Sequence, residues 1–202
     1  MAMSVALLAV TKDVSETDRL KAQREHEIDQ LLIKIEKAAE AYPGISIDRN
    51  RNVIDFGDRA HFETGSSQLS PEKAQYLSRF VSEVLLVARD ELGQKWVKRI
   101  VSEGFADQRG DYLLNLNLSL QRSQRVLCVL LAPTATQQHV LNPAEQEQVR
   151  DLFLVGGYSF NSAKASLDES RRIELRLEFY GADEIHPERS EIQRGNFGTC
   201  RI

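Results

Sequence analysis

Hydrophobic positions along the chain repeat with two spacings, and each spacing predicts one kind of element. A narrow apolar stripe at helical spacing runs through the densely charged segment 11–42 and consists of Ile28, Leu31, Leu32, Ile35 and Ala39. This pattern predicts a charged linker helix that Pro43-Gly44 ends. The stripe either packs on the chain's own domain or pairs with a second copy, and the spacing fits both equally.

Three further helices are predicted downstream. Ser70-Pro71-Glu72 combines an N-cap, a proline at the first helical position and an early acid, and Asn142-Pro143-Ala144-Glu145 forms a capping box. Between these two helices we expect a third, capped by Ser119 and directing Val126, Leu127, Val129 and Leu130 toward the core.

Strands are predicted where apolar residues alternate or form short runs. Residues 45–48 and 53–56 flank a polar turn and form a hairpin, and residues 96–101 supply a third strand. In the last strand, Ile173, Leu175, Leu177 and Phe179 alternate with charged residues, which indicates a sheet with one buried face. Together these elements predict an α+β sandwich with helices on one face of a small mixed sheet.

The two ends of the chain differ in character. Residues 1–10 carry no charge and are too few to span a bilayer, which needs about 20. They are either the end of a transmembrane helix that begins outside this sequence or an apolar start that packs locally, and the abrupt change to charged residues favours the first. Residues 43–180 are predicted to form one domain, and residues 181–202 a polar tail.

Composition narrows the class of protein. The 202 residues are 42% hydrophobic and 28% charged, as in ordinary globular proteins, and the net charge of -4 makes nucleic acid an unexpected partner. Cys128 lies in an apolar run and is interpreted as a buried structural thiol, with a disulfide to Cys200 as the alternative.

Catalytic and metal-binding patterns are absent from the sequence. It contains no Gly-x-Ser-x-Gly, no phosphate-binding Gly-x-x-x-x-Gly-Lys and no His-Glu-x-x-His, and its four histidines lack metal spacing. We therefore predict a protein that is not an enzyme and that uses no cofactor or metal.

A polar group of residues is the main candidate site. Asp107 follows the third strand, Asn115 is placed in the loop, and Arg122 is placed in the first turn of the next helix. An arginine beside free helix N–H groups can bind a carboxylate, and Asp107 can bind an ammonium group, so the set suits a small zwitterion. The alternative, which spacing alone favours, is a salt bridge between Asp107 and Arg122.

Four motifs in order resemble those of OmpA/MotB-like peptidoglycan-binding domains, over about two-thirds of the chain. They are Phe62-Glu63-Thr64-Gly65-Ser66 with Leu69, Gly104-Phe105-Ala106-Asp107, Asn115 with Leu118-Ser119 and Arg122, and Ser170-Arg171-Arg172-Ile173-Glu174. The resemblance implies an OmpA-like βαβαβ-type sandwich. It also implies that Asp107 and Arg122 bind the free amino-acid end of diaminopimelate in peptidoglycan stem peptides, with Asn115 and either Arg171 or Arg172 supporting the site.

The sequence also departs from that family. Phe105 and Ala106 stand where histidine and threonine are usual, which removes two polar side chains beside Asp107. Segment 133–155 is longer than usual. The apolar start, the charged linker helix and this longer segment together make the chain resemble the MotB-like, stator-type anchoring subunits of Zorya anti-phage systems.

This resemblance implies a periplasmic domain that joins an inner-membrane complex to the cell wall. It implies a homodimer and a MotA-like membrane partner, with the membrane helix mostly outside this sequence. Two other hypotheses remain: a passive tether between the outer membrane and the wall, and an interaction module that does not bind peptidoglycan.

Overall fold

The computed structural model describes residues 2–133, 137–186 and 197–200, with side-chain surroundings from residue 16 onward. The helices are α1 (Ala2–Ala39), α2 (Pro71–Arg89), α3 (Glu91–Trp96), α4 (Tyr112–Leu131), α5 (Pro143–Leu152) and α6 (Leu167–Ser170). The strands are β1 (Ser46–Asp48), β2 (Val53–Asp55), β3 (Val97–Gly104), β4 (Phe153–Gly157) and β5 (Ile173–Phe179).

The described strands form one mixed sheet in the order β1-β2-β5-β3-β4. β1 and β2 make the predicted hairpin, β5 pairs antiparallel with both β2 and β3, and β3 pairs parallel with β4. The last strand of the chain is therefore central and the hairpin forms one edge. This arrangement confirms the predicted α+β class with a small mixed sheet.

One face of the sheet packs against the helices. Ile54 and Leu175 are register partners, as are Leu177 and Ile100, and all four are buried in one core with residues of α1, α2, α4 and α5. The opposite face carries Glu103 and Glu174, which are also partners in register. Side chains alternate between the two faces of a strand, so the helices cover a single face, as predicted.

Two predicted helix starts are confirmed by their caps. The Ser70 side chain accepts a hydrogen bond from the backbone N–H of Lys73 at the start of α2. At the start of α5, Asn142 and Glu145 form the complete capping box, in which each side chain accepts from the other's backbone N–H. Local capping chemistry was therefore sufficient to place both helices.

The start predicted for α4 was wrong. The N-cap is Asp111, whose side chain accepts from the Leu114 N–H at 2.8 Å, so the helix begins two turns before Ser119. The early turns were missed because Leu113 and Leu114 are exposed and break the apolar stripe. Asn115 consequently lies in the first turns of α4 rather than in a loop, and Arg122 lies mid-helix, away from the free N–H groups.

Strand β4 was also missed. In the sequence, Gly156-Gly157 resembles a helix breaker after the helix that Asn142 caps, whereas both glycines belong to a strand that follows α5 directly. Gly157 permits close packing against α4, since a Cβ there would lie 2.6 Å from the Leu120 Cγ atom. Gly104 of β3 is still more restricted, because its Cβ would lie 1.9 Å from the Ser119 carbonyl oxygen. The two glycines therefore let α4 lie directly on the sheet.

Residues 2–10 of the apolar segment and residues 11–39 of the charged linker belong to one helix, α1, which is 38 residues long, and Met1 lies outside the described residues. Its C-terminal part packs on the domain, where Leu31, Leu32 and Ile35 are buried in the common core. Polar contacts add to this attachment, and the Glu27 carboxylate accepts from Lys95 Nζ and Trp96 Nε1, both at 2.6 Å. Among the helices that the structure describes, none combines the length and the apolar character needed to cross a membrane.

Cys128 is not a free thiol. It forms a disulfide with Cys200, 72 residues later, which joins the end of the described chain to α4. Cys128 is only partly buried, on the flank of α4, so the apolar run around it did not mark a core position. The sequence alone left this pairing open because it did not show that the two cysteines meet.

Candidate functional site

The main candidate site is a pocket of about 240 Å³ beside the N-terminal half of α4. The segment after β3 and the turn around Gly65 form its other walls. Its lining residues are Thr64, Gly65, Asp107, Arg109, Leu114, Asn115, Asn117, Leu118, Gln121, Arg122 and Arg171. Four of the five residues predicted for the site thus come together, although they lie far apart along the chain.

Arg122 is the most deeply buried charge of this pocket, with no exposed surface. Its guanidinium donates to three backbone carbonyls, those of Ser66 at 2.9 Å, Phe105 at 2.8 Å and Glu63 at 3.2 Å, and it lies over the Phe62 ring. Burial, with a contribution from nearby Arg171, lowers the pKa of Arg122 to about 10. The group remains a cation at neutral pH, and within the described part of the chain no carboxylate pairs with it.

Asp107 does not pair with Arg122, so the predicted salt bridge between them was wrong. One carboxylate oxygen accepts from the Arg109 backbone N–H at 3.0 Å and from Arg109 Nε at 3.3 Å. The other accepts from Arg109 Nη2 at 2.7 Å and from Arg171 Nη1 at 3.0 Å. These bonds, those of the Arg109 side chain above all, hold the pKa of Asp107 well below its usual range.

Arg171 is fixed at the base of the pocket. Its side chain also donates to the Phe62 carbonyl at 2.9 Å and pairs with Asp168. Asn115 holds the neighbouring loop, because its amide donates to the Arg109 carbonyl at 2.8 Å. Gly110 takes a positive φ of 90° in that loop, a conformation that favours glycine. The pocket is therefore built from side chains that the backbone already orients.

Arg172, the fifth residue predicted for the site, lies elsewhere. Its guanidinium pairs with Glu174 at 2.8 Å and lies 4.1 Å from the centroid of the Phe105 ring. Both arginines lie in the short connection between α6 and β5, and of the two only Arg171 lines the pocket. Phe105 also stacks on Tyr158, and neither Phe105 nor Ala106 lines the pocket. Neither residue therefore forms a wall of the pocket.

Sequence reasoning missed Arg109 and Thr64. Arg109 covers Asp107 and also donates to the Thr64 hydroxyl at 3.0 Å, while half of its side chain stays exposed. One signal for Arg109 was available in the sequence. An aspartate in a loop often accepts a hydrogen bond from the backbone N–H two residues later, which forms an Asx-turn. Thr64 carries no comparable signal, because its position depends on how the turn at Gly65 meets the loop after β3.

The charges of the pocket determine what it can bind. Three guanidinium groups line it, and Asp107 is the single carboxylate among its lining residues. A ligand carboxylate is therefore the favoured occupant, because guanidinium binds carboxylates in a two-pronged geometry. Fold and pocket together define a small α+β binding domain with a cationic site.

Comparison with known proteins identifies the family. The Zorya protein ZorB of Escherichia coli O139:H28 (strain E24377A / ETEC) is 38% identical over 191 residues, which cover 94% of this chain and 78% of that relative. The chain belongs to the ZorB family of Zorya proteins. This finding confirms the resemblance to Zorya subunits that the sequence motifs indicated.

Other comparisons are more distant. No protein-family profile matches the chain. The OmpA-like domain of FopA1 from Francisella tularensis subsp. tularensis SCHU S4 is 14% identical with a TM-score of 0.40, over 68% of this chain and 82% of that one. The peptidoglycan-associated lipoprotein from Burkholderia pseudomallei is 13% identical with a TM-score of 0.37, over 60% and 88% of the two chains.

Proposed function

We propose that this protein binds peptidoglycan stem peptides without catalysing a reaction and thereby anchors a Zorya membrane complex to the cell wall. The observation that carries the proposal is Arg122, a fully buried cation whose hydrogen bonds all go to backbone carbonyls. Burying a charge without a counter-charge is unfavourable, so such a group marks a position where a ligand anion is stabilising.

The ligand is the zwitterionic end of diaminopimelate. Its carboxylate binds between Arg122 and Arg171, and its ammonium group binds Asp107, the acid of the same pocket. Asn115 keeps the loop in place through the Arg109 carbonyl. The volume of about 240 Å³ is below the usual range for drug-sized ligands and suits one amino-acid residue.

The compartment that fits this function is the periplasm. The disulfide between Cys128 and Cys200 supports it, because such bonds persist in oxidising compartments and are rare in the cytosol. In the proposed complex α1 leads toward the inner membrane, a MotA-like protein is the membrane partner, and two copies of this chain act together. A motor in the membrane needs a fixed point, and the wall provides a stiff one.

The test is co-sedimentation of the full chain with insoluble peptidoglycan. The full chain is required because residues 28–39 of α1 contribute to the core. We expect the unaltered protein to pellet, and we expect Arg122→Lys and Asp107→Asn each to weaken binding by at least about tenfold, the equivalent of one lost charged hydrogen bond. Arg122→Lys keeps the charge but loses the planar fork that holds a carboxylate.

A matched control is Asp151→Asn on α5, a partly exposed acid outside the pocket. It should pellet like the unaltered protein. Circular dichroism and thermal unfolding establish whether each variant is folded. A folded, unaltered protein that stays in the supernatant would contradict the proposal and would favour an interaction module that does not bind peptidoglycan.

A further inference from the structure

Arg109 occupies the place that a ligand ammonium group needs. A carboxylate offers about four lone-pair positions for hydrogen bonds, and Asp107 already accepts four bonds, three from Arg109 and one from Arg171. An ammonium group can therefore bind Asp107 only if one of these donors leaves.

The donor that can leave is the Arg109 guanidinium. Half of its side chain is exposed, whereas the Arg171 side chain is 9% exposed and is also held by the Phe62 carbonyl and by Asp168. The Arg109 backbone N–H bond belongs to the turn and is independent of where the side chain points. Apart from its bonds to Asp107, the Arg109 side chain donates one hydrogen bond within the described residues, to the Thr64 hydroxyl.

We propose that Arg109 is a specificity-determining residue that moves from Asp107 to a second carboxylate of the ligand when the ligand ammonium group binds. This inference rests on the proposed function and narrows its ligand. The preferred ligand is a stem peptide that carries, besides the zwitterionic end of diaminopimelate, another free carboxylate within reach of the pocket rim.

The charge balance supports this exchange. The three guanidinium groups of Arg109, Arg122 and Arg171 line the pocket together with the Asp107 carboxylate, and Asp168 pairs with Arg171 from outside the lining, so one positive charge is left over. A zwitterion brings no net charge and leaves this excess in place. A ligand with two carboxylates and one ammonium group reduces it, and Arg109, at the exposed rim, is the cation best placed for the second carboxylate.

The experiment compares two soluble peptides by isothermal titration calorimetry with the full chain. One is L-alanyl-γ-D-glutamyl-meso-diaminopimelyl-D-alaninamide, in which the glutamyl α-carboxylate is the one free carboxylate besides that of the zwitterionic end, and the other is the same peptide with the glutamyl α-carboxylate amidated. We expect the unaltered protein to bind the free acid about tenfold more tightly, and Arg109→Gln to bind both peptides within about twofold of each other. Arg99→Gln is the matched control, since Arg99 is a half-exposed arginine paired with Glu178 outside the pocket.

The outcomes separate this inference from the proposed function. If the unaltered protein binds both peptides equally, or if Arg109→Gln still prefers the free acid, Arg109 does not read a second carboxylate and the inference is wrong while peptidoglycan binding stands. If the unaltered protein binds neither peptide and does not pellet with the wall, the proposed function fails and the inference fails with it. A preference that disappears in Arg109→Gln and persists in Arg99→Gln supports it.

Discussion

Two charged regions of this molecule bury arginine in opposite ways. On the sheet face opposite the helices, Arg172 pairs with Glu174. The half-buried Arg176 donates two hydrogen bonds, at 2.7 and 2.9 Å, to the buried Glu103 carboxylate. In the pocket, Arg122 is equally buried but binds only carbonyls. The sheet face thus holds arginine–glutamate ion pairs, whereas among the residues that the structure describes no carboxylate pairs with Arg122.

The difference separates a structural role from a binding role. A closed ion pair already satisfies both of its charges, so a ligand gains little from it and removing one partner leaves the other buried alone. An arginine held by carbonyls keeps its net charge available to an anion. On the proposed function, what distinguishes Arg122 from the buried Arg172 is therefore not its burial but its partners, which are carbonyls in place of a carboxylate.

Arg172→Ala should have the largest effect on the free energy of unfolding. It leaves Glu174, which has no exposed surface, with Arg51 at 3.7 Å as its nearest cation. We expect the free energy of unfolding to fall by about 3–5 kcal/mol, the usual cost of an unpaired buried charge, as measured by urea denaturation. The double variant Arg172→Met with Glu174→Met should recover most of this loss, and a double variant no more stable than Arg172→Ala would show that the pair is not a closed unit.

Arg122→Gln should have a smaller effect on stability and a larger one on ligand response. It removes hydrogen bonds to three carbonyls, but it also removes an unpaired buried charge, so we expect a loss of about 2–3 kcal/mol. In thermal unfolding, a stem peptide should raise the Tm of the unaltered protein and leave that of Arg122→Gln unchanged. An equal rise in both proteins would place the ligand outside the pocket.

Removing the Glu27 contact between α1 and the domain should have the smallest effect on the free energy of unfolding, and this effect should depend on pH. Hydrogen bonds, that of Lys95 above all, lower the pKa of Glu27 from 4.5 to about 2. A lowered carboxyl pKa contributes stability that is complete above the unfolded value and is lost as the pH falls toward the folded one. We expect Glu27→Gln to cost about 1 kcal/mol at pH 7 and less below about pH 4. Urea titrations across this range, with Glu25→Gln as the exposed control, measure it.

The sequence predicted the parts of the fold that local chemistry specifies. The caps at Ser70 and Asn142 and the alternation in β5 each depend on residues close in the chain, and all three were placed correctly. The cap at Asp111 was missed because exposed leucines follow it, and β4 was missed because its two glycines resemble a helix breaker. Whether these two segments form a helix start and a strand depends on the packing of α4 against the sheet, and no local sequence pattern specifies that packing.

The site shows the same limit. The motifs named Asp107, Asn115, Arg122 and Arg171, and the structure brings these four together, whereas the adjacent Arg172 lies on the other side of the sheet. Which of two neighbouring arginines reaches the pocket depends on the connection between α6 and β5, where both lie. The contact of Arg109 with both Asp107 and Thr64 depends on two loops that are far apart in sequence. These are properties of the assembled fold.

The continuous helix α1 also makes the domain a lever. From Ala2 to Arg24 it extends about 33 Å at 1.5 Å per residue. Its fulcrum begins at Arg24, whose side chain donates to the Tyr180 carbonyl at 2.6 Å, and continues along the apolar stripe from Ile28. A sideways pull at the far end produces a torque that the short buried part must resist. A pull along the axis is instead shared by the helix hydrogen bonds and the whole core, so we expect the attachment of α1 to resist an axial pull better than a sideways one.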